Sequence, residues 1–67
     1  MNAGEWLRRA TLRLSESGDP DAACDAEWLL CEATGWARSS LRMRRNDVPD
    51  CGALATADAW LERRCGG

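Results

Sequence analysis

The side chains of this sequence with chemistry to offer are an acidic pair at Asp25 and Glu27, four cysteines, a run of arginines and four tryptophans. Two carboxylates can serve as general acid and base when both reach one reacting group. Asp25 and Glu27 lie two apart in Asp25-Ala26-Glu27-Trp28-Leu29-Leu30, so on a helix they point to different sides and form no catalytic dyad. Pairing with arginines of a neighbouring helix is the expected role, and an exposed pair contributes only about 0 to 1 kcal/mol. Cys24, Cys31, Cys51 and Cys65 would read as a disulfide framework in a short secreted protein. Cys24 and Cys31 sit seven apart on one expected helix, about 10 Å along its axis, too far to bridge. With no Cys-x-x-Cys pair and no histidine, zinc is not expected, and most of these thiols are expected to be small buried apolar groups. No catalytic, cofactor-binding or metal-ligating residue is assigned.

Arg38, Arg42, Arg44 and Arg45 form the main positive cluster, and guanidinium groups suit bidentate contact with carboxylate or phosphate. The bland alternative is a solvated face beside a loop. Of Trp6, Trp28, Trp36 and Trp60, at least two are expected in the core, each burying on the order of 150 to 250 Å². Trp36, just past Gly35, is expected to be the partly exposed one and joins the four arginines as a partner-contact candidate.

These groups must be held by helices. Trp6, Leu7, Ala10 and Leu14 share one face of a first helix over about residues 3–15, with Arg8, Arg9 and Arg13 toward water and Gly18 as its stop. Asp19-Pro20 suits the N-cap and first position of a second helix, on which Ala23, Ala26, Leu30 and Ala33 form a stripe widened by Leu29. Gly35 stands where a left-handed C′ residue is expected. The serines of Arg38-Ser39-Ser40-Leu41 can cap one or two turns before Asn46-Asp47 interrupts. Pro49-Asp50 then opens a last helix with Cys51, Leu54, Ala57, Leu61 and Cys65 along one face, closed by Gly66-Gly67.

The 67 residues are enough for one domain with a small core. Residues favouring strands are nearly absent: there is no Phe, Tyr or Ile and a single Val, against eleven Ala and eight Leu. The expected fold is all-α, a small compact bundle of three main helices plus one short extra helix, formed by residues 1–67 as a single domain. The net charge of -2 divides into -4 over residues 1–33 (three arginines, seven acids) and +2 over residues 34–67 (six arginines, four acids). That balance disfavours general nucleic-acid binding, which needs a basic stripe. No apolar signal segment opens the sequence and no run nears the roughly 20 apolar residues of a membrane span, so a cytoplasmic location with reduced thiols and no membrane contact is expected.

Several pieces in order carry a resemblance: Trp6-Leu7-Arg8-Arg9-Ala10, then Asp25-Ala26-Glu27-Trp28-Leu29-Leu30 with Gly35, then Arg38 and Leu41, and finally Leu61-Glu62-Arg63-Arg64-Cys65-Gly66. Together they resemble the N-terminal helical domain of the peptide chain release factor glutamine methyltransferases, the HemK family, over nearly the whole chain. The resemblance implies a non-catalytic domain that recognises and positions a release factor for methylation of the glutamine in its Gly-Gly-Gln motif. The partners it implies are the release factor and a catalytic domain that binds S-adenosylmethionine. That second domain needs a Rossmann-like sheet, a glycine-rich cofactor loop and an Asn-Pro-Pro-Tyr motif, none of which occurs here, so the chain is expected to be no enzyme by itself and to hold no cofactor. Two other readings stand beside this one: a free-standing helical protein that binds nucleic acid through the arginine cluster, and a structural bundle without a partner.

Overall fold

The computed structural model describes residues 1–66, and its elements are α1 (Ala3–Glu16), α2 (Ala22–Thr34), the single-turn α3 (Arg38–Leu41) and α4 (Cys51–Gly66). No strand occurs among the described residues, so the all-α expectation holds. Helix α1 opens on a reciprocal capping box: the Glu5 N–H donates to Asn2 Oδ1 (2.8 Å) and the Asn2 N–H donates to Glu5 Oε1 (2.9 Å). Its other first-turn amides find carbonyls outside the helix, Ala3 N–H on Asp47 and Gly4 N–H on Arg45, both at 2.9 Å. The loop after α3 is thereby tied to the start of α1. A Cβ on Gly4 would stand 3.3 Å from the Arg45 carbonyl oxygen, so this close approach favours glycine.

Helix α2 starts two residues later than its proline suggested. Asp21 is the N-cap, and the Asp19 carboxylate accepts from the Asp21 N–H at 2.9 Å, holding Asp19 and Pro20 in a turn ahead of the helix. Gly35 closes α2 as expected, at φ 78°, with its N–H on the Cys31 carbonyl at 2.8 Å. The serines of α3 do not cap it: Ala37 is the N-cap and no side chain bonds there. Asp50 opens α4 by accepting from the Gly52 N–H at 2.9 Å. Gly66 is still helical, and Gly67, expected to help close the helix, lies outside the described residues.

Ion pairs show the helix directions. Arg9 meets Asp58 at 2.7 Å and Arg13 meets Glu62, so α1 and α4 run the same way. Asp25 near the start of α2 meets Arg64 near the end of α4 at 2.9 Å, so α2 runs opposite to both. The main helices therefore form an up-down-up bundle with α2 packed on each of the others. Its core gathers Trp6, Leu7, Ala10 and Leu14 from α1, Ala22, Ala26, Leu30 and Cys31 from α2, Leu41 from α3, and Ala57 and Leu61 from α4. The α1 stripe is as expected. On α2, Ala26 and Leu30 of the expected stripe are buried, Ala33 is partly buried and Ala23 is exposed, while Ala22 and Cys31 are buried as well, since α2 packs on three other helices. On α4, Cys51 is exposed and Leu54 and Cys65 are only partly buried.

Trp6 is 0% exposed, and its indole N–H reaches Asp58 Oδ1 at 2.8 Å, the same oxygen that receives Arg9. Asp58→Ala should destabilise the fold by about 1 to 3 kcal/mol through an unsatisfied donor, whereas Asp58→Asn, keeping an acceptor, should lose less. Urea unfolding followed by circular dichroism checks both, and equal losses would show that charge rather than the indole bond dominates. Leu30→Ala should cost about 2 to 5 kcal/mol, as much as the roughly 3 to 5 kcal/mol that such a core supplies, and should leave the chain largely unfolded in the same assay.

Candidate functional site

The four arginines expected to act together divide by pairing. Arg38 is engaged within the fold: its Nη2 meets Glu27 Oε1 at 3.0 Å and Cys24 Sγ at 3.5 Å. The Glu27 hydrogen bond, helped by Cys24, raises the guanidinium pKa above its already high value. Arg44 lies 5.1 Å from the Trp36 ring centroid and 3.6 Å from Asp47. Arg42 and Arg45 are exposed and have no ion pair among the described residues. Between them Met43 is 88% exposed. Trp36 packs against the core with one side and receives Arg44 on its ring, a cation–π contact worth about 0.5 to 1 kcal/mol at an exposed site. These residues make a basic edge whose backbone is anchored on α1 through Arg45 and Asp47.

The acidic pair behaves as the spacing implied. Asp25 pairs with Arg64 of α4 and Glu27 with Arg38 of α3, on different sides of α2. A third acid modifies Asp25. A hydrogen bond shared with Asp19 pushes the Asp25 carboxyl up, burial adds to this, and Arg64 pulls it back. The same bond, with the Asp21 N–H, holds Asp19 down. Cys31 is the one buried thiol; burial pushes its pKa up, so it is an inert apolar group. Cys65 is partly buried, while Cys24 and Cys51 are exposed, contrary to the expectation that most are buried. Cys51 is the first residue of α4, and the Cys24 sulfur meets the half-exposed guanidinium of Arg38 at 3.5 Å. All four thiols are free, and no group of three or more potential ligands gathers for a metal among the described residues.

The tryptophans correct the expectation most. Trp6 alone is fully buried, and Trp28, at 50% exposed, is more open than Trp36. Trp28, Leu29 and Trp60 line an open groove between α2 and α4, with Asp25, Glu32 and Arg64 on its rim. The sequence held a signal for this surface that periodicity reading passed over. Trp28 stands two residues from both Ala26 and Leu30 and Trp60 three from Ala57, next to Leu61, so Trp28 lies away from the buried stripe and Trp60 at the margin of its own. A second open groove along α1 is lined by Leu12, Arg8 and Arg45 among others, with Leu12 60% exposed.

The fold and its surface define a small all-α bundle with a basic edge beside α3 and an aromatic groove between α2 and α4. A family described as the PrmC N-terminal domain matches residues 5–67, and the chain belongs to that family. No curated protein and no solved structure matches. The family is the non-catalytic N-terminal part of release factor glutamine methyltransferases. No helix among the described residues is long and apolar enough to cross a membrane.

The acidic pair gives a pH test. A carboxyl whose folded pKa is raised, as at Asp25, favours the fold below its unfolded value, and that contribution is lost as pH rises through the folded value; for Asp19, held down, stability is present above the unfolded value and lost as pH falls. The two shifts have opposite sign, so carboxyl NMR should show Asp25 taking its proton before Asp19 as pH falls. Arg64→Ala should raise the Asp25 midpoint further, and an unchanged midpoint would mean the pair is not formed in solution.

Proposed function

We infer that this chain is the substrate-recognition and positioning domain of a protein-glutamine methyltransferase, engaging a peptide chain release factor in the cytoplasm. The observation that carries this reading is the family match across residues 5–67. The reaction itself explains why such a domain is useful. A carboxamide nitrogen is a poor nucleophile because its lone pair is delocalised into the carbonyl, so methylation requires the amide to be held in line with the methyl donor. S-adenosylmethionine supplies that methyl group from the catalytic domain; this domain contributes binding energy and orientation. Holding a large folded substrate at a distance from the reacting atoms lets remote contacts lower the barrier at the glutamine.

The geometry supports a binding role through its charge distribution. Arg42 and Arg45 project from a loop fixed to α1, so their positions are partly pre-organised and less entropy is lost on engagement. Charges of this kind act mostly on association rate and register. Arg38 and Arg44 serve the fold through Glu27, Asp47 and Trp36, and in this reading they position the edge rather than supply its free charge.

Isothermal titration of the reduced chain against a bacterial release factor, alone and mixed with a separately expressed methyltransferase catalytic domain, tests the reading. Binding, or tighter binding in the mixture, is the expected result, with the double variant Arg42→Ala, Arg45→Ala weakening it more at low salt than at high. No heat in either arm from a chain shown to be helical would overturn it. Salt-sensitive binding to RNA or DNA in the same cell would then move the reading to a nucleic-acid partner.

A further inference from the structure

We propose that the groove between α2 and α4 is the apolar anchor of the partner interface, and that it takes a protein segment carrying an arginine or lysine next to aliphatic residues. The partner's identity as a release factor rests on the preceding reading; the chemistry of the groove does not. Trp28 is the most exposed of the large aromatic side chains, and Leu29 and Trp60 continue its apolar floor across to α4. Tryptophans that close a groove between two rigid helices are the side chains that most often dominate a protein interface, since each offers a large area with little rotamer entropy to lose.

Charge selects the occupant. Asp21, Asp25, Trp28 and Glu32 recur at steps of four, three and four, so they share one stripe of α2, with the tryptophan at its centre. Asp25 is already paired with Arg64, whereas Asp21 and Glu32 are exposed and meet no arginine among the described residues. An acidic partner would be repelled here. A cationic side chain can lie over the Trp28 ring, where the ring quadrupole attracts it, while meeting the Glu32 carboxylate. Its aliphatic neighbours then fill the space between Trp28 and Trp60 and expel water from both. The Asp25–Arg64 pair closes one side of the groove and ties its two walls together at 2.9 Å.

The test uses the whole chain and four indole N–H signals in its proton–nitrogen NMR spectrum. Titration with a bacterial release factor should shift Trp28 and Trp60 and leave the buried Trp6 in place. Trp28→Ala and the charge reversal Glu32→Arg should each weaken binding about tenfold or more, while Glu16→Ala, exposed at the end of α1 and outside both grooves, should leave it unchanged. Both positions in the groove are open, so the variants should keep wild-type helicity, which circular dichroism checks. Release-factor binding that survives both groove substitutions would overturn the proposal and leave the recognition function standing. If the release factor does not bind at all, an amphipathic leucine–arginine peptide is the probe, with its leucine–glutamate counterpart as control. Shifts of Trp28 and Trp60 with the cationic peptide alone would uphold the groove chemistry without that function. Equal response to both peptides, or to neither, would overturn it, as would indole shifts that depend on the chain's own concentration, which would mark the groove as a self-association surface for the exposed Arg42-Met43 loop of a second copy.

Discussion

The bundle depends on finding an acceptor for one buried donor. Trp6 supplies the largest side chain of the core, and a fully buried indole carries an N–H that must be satisfied. Asp58 provides the oxygen, and because that oxygen also receives Arg9, its negative charge is compensated where it stands. One carboxylate therefore fixes the register of α4 against α1. Once Asp58 is placed, Glu62 one turn later lies beside Arg13, which follows Arg9 by the same interval, and the second pair forms on the same seam. The Glu62 hydrogen bond and charge raise the Arg13 pKa further. These surface pairs add little energy individually. Their effect is on specificity, since a one-turn slip of α4 would leave the indole without its acceptor.

The other constraint is local and concerns backbone amides. The first turn of any helix leaves donors without partners. In α1 those donors are divided between Asn2, which serves Glu5 and Trp6, and the loop carbonyls of Asp47 and Arg45, which serve Ala3 and Gly4. A loop that would otherwise be solvated is thus part of the helix cap, and its exposed arginines and Met43 are displayed from a fixed backbone. Leu41, nearly fully buried, pins the loop from the other end. The basic edge and the fold share the same hydrogen bonds.

Most of the architecture could be read from composition and period. The face of α1, the glycine stop of α2 and the acid at the opening of α4 are all local signals, and each is present in the structure. The Asn2-x-x-Glu5 capping box was equally legible and went unread. Other features depend on tertiary context. Asp19-Pro20 has the chemistry of a helix start, but an Asx turn competes for the same oxygen, and nothing in the sequence says which of two acids two residues apart becomes the cap. The arginine cluster lies within eight positions of the sequence, yet the fold spends Arg38 on Glu27 and Arg44 on Trp36 and Asp47, leaving Arg42 and Arg45 without an ion pair among the described residues. The candidate groove was missed for a related reason: it draws Trp28 and Trp60 from helices whose pairing no local signal reveals.

The distribution of tryptophan links the two sets of constraints. A bundle whose other large fully buried residues are Leu14, Leu30 and Leu61 has room for one indole, and α1 fills that place with Trp6. A helix buries the residues on the arc that faces its neighbours, and Trp28 stands outside the α2 arc marked by Ala22, Ala26 and Leu30. Moving it inward would require rotating α2, which would expose Leu30 and separate Asp25 from Arg64. Trp60 is held at the margin in the same way, because Ala57 and Leu61 already occupy the inward face of α4 and Asp58 must reach Trp6. The packing that stabilises the core thus also keeps a pair of aromatic rings at the surface, on helices too constrained to withdraw them. Binding there would start from rigid walls, and the entropy lost would fall mainly on the partner.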